Sequence, residues 1–142
     1  MVEIDKKLLN ILFNYNFINF ALLFGSYSNN TQKELSDIDV AIGVDKDIDI
    51  FMMGEIIAIL EECLGKRVDL VIVNDLYKEN SKLAFNITNN HKLIFCRNTK
   101  EYIEFKTNSL KYYFDMRYMY EMFDKELLKR LDNGTFGKTK IS

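Results

Sequence analysis

The stretch Phe24-Gly25-Ser26-Tyr27-Ser28-Asn29-Asn30-Thr31-Gln32-Lys33-Glu34-Leu35-Ser36-Asp37-Ile38-Asp39-Val40-Ala41-Ile42-Gly43 reduces to a Gly-Ser pair, ten residues, then Asp-x-Asp. Gly25-Ser26 closes one apolar run and Asp37-x-Asp39 opens the next. Two strand ends meeting at a small pocket account for this pattern. A hydroxyl and backbone amides would line one side, where they suit phosphate. Carboxylates would line the other, where they suit Mg²⁺. The pattern points to metal-dependent phosphoryl or nucleotidyl transfer.

Working outward, residues 17–24 are almost wholly apolar and read as a buried strand. Asp37 to Gly43 alternates, with Ile38, Val40 and Ile42 on one face and Asp37, Asp39 and Ala41 on the other. Ile50, Met53, Ile56, Ile57, Leu60 and Leu64 mark a helix that Gly65 stops. Arg67 to Val73 alternates again and carries Asp69 opposite its aliphatic face. Strand, helix, strand predicts a parallel pair joined by a right-handed crossover.

The flanks are simpler. Ile4, Leu8, Leu9, Ile11, Leu12 and Tyr15 predict a first amphipathic helix, broken at Asn14-Tyr15-Asn16. Residues 74–90 read as one weakly periodic helix, and Lys92 to Arg97 as a short edge strand. From about Thr99 to Asp132 there is neither Gly nor Pro. Tyr112, Met116, Met119, Phe123, Leu127 and Leu131 keep helical spacing there. An unbroken helix of that span would run roughly 50 Å, longer than a domain of this size is wide. Its tyrosines cannot all face one small core, so part of it is expected to meet a protein partner. Asn133-Gly134 and Gly137 are expected to end it before a loose tail.

Composition narrows the function classes. The 142 residues suffice for one domain with a sizeable core. A net charge of −2 supplies no basic field for nucleic acid, and direct nucleic-acid binding is not expected. No apolar run approaches the ~20 residues of a membrane span, and the charged start predicts no export. Cys63 and Cys96 lack metal or redox spacing, which fits a reducing cytoplasm. His91, the single histidine, falls in a polar stretch and reads as a surface residue.

Taken alone, Asp-x-Asp at the start of a strand is more often a solvated turn than a site. Three features reverse that weighting: Asp37 and Asp39 share a strand face, Asp69 sits on a neighbouring strand, and Gly25-Ser26 ends a third. Two carboxylates about 4 Å apart repel by roughly 4 kcal/mol at an effective dielectric near 20. Three together call for a cation. The expected fold is a single α/β (α+β) domain, a small mixed sheet with helices against one face and the carboxylates on the other.

Gly25-Ser26, Asp37-x-Asp39 and Val68-Asp69-Leu70 together resemble the minimal nucleotidyltransferases of the polymerase-beta superfamily. The Tyr-rich C-terminal segment is similar to that of their antitoxin branch, whose members pair with HEPN ribonuclease toxins. The resemblance implies an antitoxin-type protein adenylyltransferase that transfers AMP from ATP to tyrosine of a partner toxin. It implies that Asp37, Asp39 and Asp69 are catalytic and hold Mg²⁺, two ions in all. Gly25 and Ser26 would bind the nucleotide. It also implies a cytoplasmic protein, a hetero-oligomer with the toxin, residues 1–98 as nucleotidyltransferase core and residues 99–142 as helix and tail. One departure stands out: the Ala-Arg-Gly common in such loops is Ser28-Asn29-Asn30 here, and Lys33 is the cation at hand. Two alternatives remain open at this stage: a nucleotidyltransferase acting on an aminoglycoside-like small molecule, and a non-catalytic toxin-binding module.

Overall fold

The computed structural model describes residues 3–27 and 36–132. In chain order these form α1 (Glu3–Leu12), β1 (Ile18–Phe24), a 3₁₀ turn (Gly25–Tyr27), β2 (Ile38–Val44), α2 (Ile50–Leu64) and β3 (Val68–Ile72). There follow α3 (Leu76–Glu79), α4 (Ser81–Asn89), β4 (His91–Cys96) and α5 (Thr99–Asp132). Among the described residues no helix is long and apolar enough to cross a membrane.

The four strands form one mixed sheet in the order β3-β2-β1-β4. β2 and β3 run parallel, joined through α2 as the alternating pattern predicts. β1 is antiparallel to both β2 and β4. β4 lies at an edge, as expected from its shortness. α2 begins at Asp49, whose side chain accepts from the Met52 amide at 2.8 Å, and ends at Gly65, whose φ of 69° is left-handed. Both signals are local, which is why the sequence locates this helix so well.

Both sheet faces are covered, and here the expectation of helices on one face alone is corrected. On the first face, Ile38, Val40, Ile42, Ala21, Leu23, Val68 and Leu70 pack under Leu8 and Leu12 of α1 and Ile56 and Leu60 of α2. On the second, Phe20, Leu22, Ala41 and Val73 pack against Leu76, Ala84, Ile87 and Phe105 of α3, α4 and α5. The physical reason is that the face carrying Asp37, Asp39 and Asp69 also carries Ala41, Val71 and Val73 farther along, and these still need cover.

The single helix expected over residues 74–90 is two helices. Asn80 interrupts it with φ −148°, and its side-chain oxygen accepts from the Leu83 amide at 3.1 Å to start α4. Asparagine competes for backbone hydrogen bonds, so it caps a helix more readily than it continues one. The expected tail beyond Asn133, like Ser28, Asn29, Asn30 and Lys33 of the loop, lies outside the described residues.

Arg97, just past β4, closes the base of the domain. Its guanidinium donates to the carbonyls of Tyr15 at 2.7 Å, Ile18 at 2.9 Å, and Phe13. It also lies over the Phe13 and Phe95 rings, 4.2 and 5.2 Å from their centroids. One side chain thus satisfies the carbonyls left over where α1 ends and β1 begins.

Candidate active site

The carboxylates collect where β2 and β3 start and β1 ends. Parallel pairing sets Asp39 directly opposite Asp69, and antiparallel pairing sets Asp39 opposite Phe24. Asp37 immediately precedes β2 and is half-buried. Strand alternation puts Asp39 and Ala41 on one face, as it does Asp69 and Val71. The second layer of helices packs on the apolar members and leaves Asp69 exposed.

The electrostatics show how close the group is. Burial, then the neighbouring charge of Asp69 and a hydrogen bond with it, then the charge of Asp37, push the Asp39 carboxyl up from 3.8 to about 6. A hydrogen bond between two carboxyls needs a proton on one of them, so Asp39 keeps its proton to a higher pH than an isolated carboxyl does. Any cation brought here would relieve the same repulsion. The donor set, three hard carboxylates from adjoining strands, fits a divalent ion of the Mg²⁺ type. Among the described residues, however, they are not drawn together as a ready-made cage.

Gly25 is the backbone counterpart. Its φ of 72° is left-handed, and a Cβ there would collide with Asp39 Oδ2 and lie 3.3 Å from its Cγ. Glycine is therefore required twice, by the turn and by the approach of the carboxylate. Ser26 follows in the same turn, half-buried, and Tyr27 anchors the turn in the first core. The sequence thus named five residues that the fold brings to one end of the sheet: Gly25, Ser26, Asp37, Asp39 and Asp69.

His91 differs from its expected place. It is half-buried at the start of β4 and pairs with Phe24. Its Nδ1 lies 2.7 Å from the Ile87 carbonyl and its Nε2 2.7 Å from the Tyr102 hydroxyl. A carbonyl only accepts, so Nδ1 carries the hydrogen and Nε2 accepts from Tyr102. The ring ties α4 and α5 to the site end of the sheet. The tertiary pairing that buries it has no local sequence signal.

Residues 6–100 match the family model described as Polymerase beta, Nucleotidyltransferase. The chain belongs to the polymerase-beta nucleotidyltransferase family. Among curated relatives of this nucleotidyltransferase is "Putative protein adenylyltransferase MJ0435" of Methanocaldococcus jannaschii. It is 36% identical over 75 residues, spanning 53% of this chain and 80% of the relative. A chain from a solved toxin-antitoxin complex with AMP-PNP superposes with a TM-score of 0.66 at 23% identity, over 91% of this chain and 96% of that one. A second comes from the tri-AMPylated Shewanella oneidensis HEPN toxin in complex with MNT antitoxin. Its TM-score is 0.61 at 21% identity, over 92% of this chain and 94% of that one. At those identities the two structures speak for the nucleotidyltransferase fold.

Proposed function

We propose that this nucleotidyltransferase is an antitoxin that transfers AMP from ATP to a tyrosine hydroxyl of a partner HEPN-type ribonuclease, in the cytoplasm. The observation that carries the chemistry is the pairing of Asp39 with Asp69 directly beside Gly25. The protein acceptor is supported by the relatives named above and by the surface of α5. Phe114, Tyr118, Met119, Tyr120, Met122, Phe123, Leu128 and Leu131 are all exposed there. Residues 1–98 would carry the chemistry, and much of 99–142 the partner contacts.

In the reaction, the acceptor oxygen bonds to the α-phosphorus of ATP as the bond from that phosphorus to the bridging oxygen breaks. Pyrophosphate leaves with that oxygen, and the acceptor proton would pass to a carboxylate, a role that the exposure of Asp69 supports. Gly25, lacking a side chain, would let the triphosphate approach the turn, and the Ser26 hydroxyl would donate to it. Asp37, Asp39 and Asp69 would hold Mg²⁺, two ions by the usual logic, which when bound supplies charge neutralisation for the phosphates. The protein's own contribution would be alignment: Asp39 and Asp69 on paired strands, with Asp37 just before β2, would fix where the attacking and leaving oxygens line up.

The test is co-expression with a HEPN-type ribonuclease toxin, followed by mass spectrometry of the toxin. An AMP-sized adduct on tyrosine is expected with the native chain and none with the combined Asp37→Asn and Asp39→Asn variant. Protection of cells by that double variant, with no adduct ever seen on the toxin, would show neutralisation by contact alone.

A further inference from the structure

A second concavity opens at the site end of the sheet, between the end of β1 and α4. It measures about 410 Å³ and is lined by Phe24, Gly25, Leu83, Asn86, Asn89 and Asn90. Ligand pockets typically measure ~300–1,000 Å³, so a nucleobase fits with room for water. Gly25 borders both this groove and Asp39, so a nucleotide phosphate at the turn would leave its base within reach of α4.

The lining has a definite chemistry. Leu83, Asn86, Asn89 and Asn90 are spaced three, three and one residues apart, which puts them on one face of α4 and its C-terminal end. Leu83 and Phe24 supply apolar surface, and among the described residues no charged side chain lines the groove. Among the described residues no side-chain hydrogen bond engages Asn86 or Asn89, and both are exposed. A carboxamide offers one donor and one acceptor side by side. That pair complements adenine, whose edge presents an amino donor beside a ring-nitrogen acceptor. It mismatches the Hoogsteen edge of guanine, which presents two acceptors and calls for Arg or Lys.

We infer that this groove is the base subsite of the nucleotide site, and that Asn86 and Asn89 select adenine over guanine. The inference rests on the nucleotidyl-transfer reading above and names residues for the nucleotide choice within it. Leu83 and Phe24 pack on the base, and the two carboxamides read its edge.

The experiment is equilibrium binding of AMP-PNP, GMP-PNP and inorganic tripolyphosphate to the purified full chain with Mg²⁺, native and as Asn86→Leu with Asn89→Leu. The native chain is expected to prefer AMP-PNP by about tenfold or more. The double variant is expected to lose that preference while binding tripolyphosphate as before, with an unchanged melting temperature. A single Asn86→Gln variant, which keeps donor and acceptor, should retain part of the preference. Equal native affinity for the two analogues, or an undiminished preference in the double variant, overturns the assignment. Failure of the native chain to bind even tripolyphosphate overturns the nucleotidyl-transfer reading, and the base subsite with it.

Discussion

A carboxyl that titrates at about 6 where an isolated one titrates at 3.8 is carrying the cost of its neighbours. Asp39 binds its proton more tightly in the fold than in the unfolded chain. Raising the pH between those two values therefore removes a proton the fold prefers, and stability falls across that window. The deficit is absent below 3.8 and complete above about 6. Because Asp39 is only half-buried, screening reduces it to ~1 kcal/mol, or roughly 3 °C in melting temperature. In metal-free protein, Asp39→Asn should melt higher than the native chain at pH 8 and no differently at pH 3.5, read by thermal denaturation. A native chain that is no less stable than the variant at pH 8 would remove the proposed crowding. Gly25 makes the complementary prediction. Gly25→Ala must strain a left-handed backbone and displace Asp39, at a cost of about 1–3 kcal/mol. AMP transfer should drop by about a hundredfold, because the alignment it supports is lost.

At the scale of elements, Arg97 and α5 do opposite things. Arg97 gathers carbonyls of Phe13, Tyr15 and Ile18 and lies over two aromatic rings, so Arg97→Ala should cost about 2 kcal/mol in chemical denaturation. Arg97→Lys should recover less than half, since an ammonium cannot reach the same carbonyls in a planar fork. The distal part of α5 leaves Tyr120 63% and Phe123 68% exposed, so it contributes little to the fold. Tyr120→Glu with Phe123→Glu should weaken binding of the proposed toxin partner by about a hundredfold in titration calorimetry while moving the melting temperature by less than about 2 °C.

Elements were legible in the sequence where their signals are local. Gly65 stops α2, and the alternation through Asp39 and Asp69 marks β2 and β3. The break at Asn80 was missed because residues 74–90 hold neither Gly nor Pro, and an asparagine cap looks like any polar helix residue until its side chain turns back. His91 was misplaced for a related reason: its partners, Ile87 and Tyr102, become neighbours only when α4 and α5 fold over the sheet.

For the molecule as a whole, the site end of the sheet could be anticipated but its roof could not. Gly25-Ser26 and the three carboxylates have a spacing that survives in one dimension. The second helical layer, and the groove it leaves between Asn86 and Gly25, depend on where α3, α4 and the first turns of α5 settle. Phe105 and the buried Ser109, whose hydroxyl donates to the Phe105 carbonyl at 2.7 Å, tie those first turns down. Tyr112 against Tyr77 and Tyr113 stacked on Phe85 carry the contact one turn farther, and the side chains from Tyr118 onward are mostly exposed.

The order β3-β2-β1-β4 has one more consequence. Asp39 lies in β2 and Gly25 directly follows β1, the two interior strands, so fraying at either edge leaves the strands that position both of them paired. Amide hydrogens in the middle of β1 and β2 should then exchange with deuterium only when the entire domain opens, at rates that follow global denaturation. Those of β4 and the distal turns of α5 should exchange through smaller, more frequent openings. A partner pulling on the C-terminal helix would thus be working on the loosest part of the protein, with the reacting geometry insulated from the strain by two strands of protected backbone.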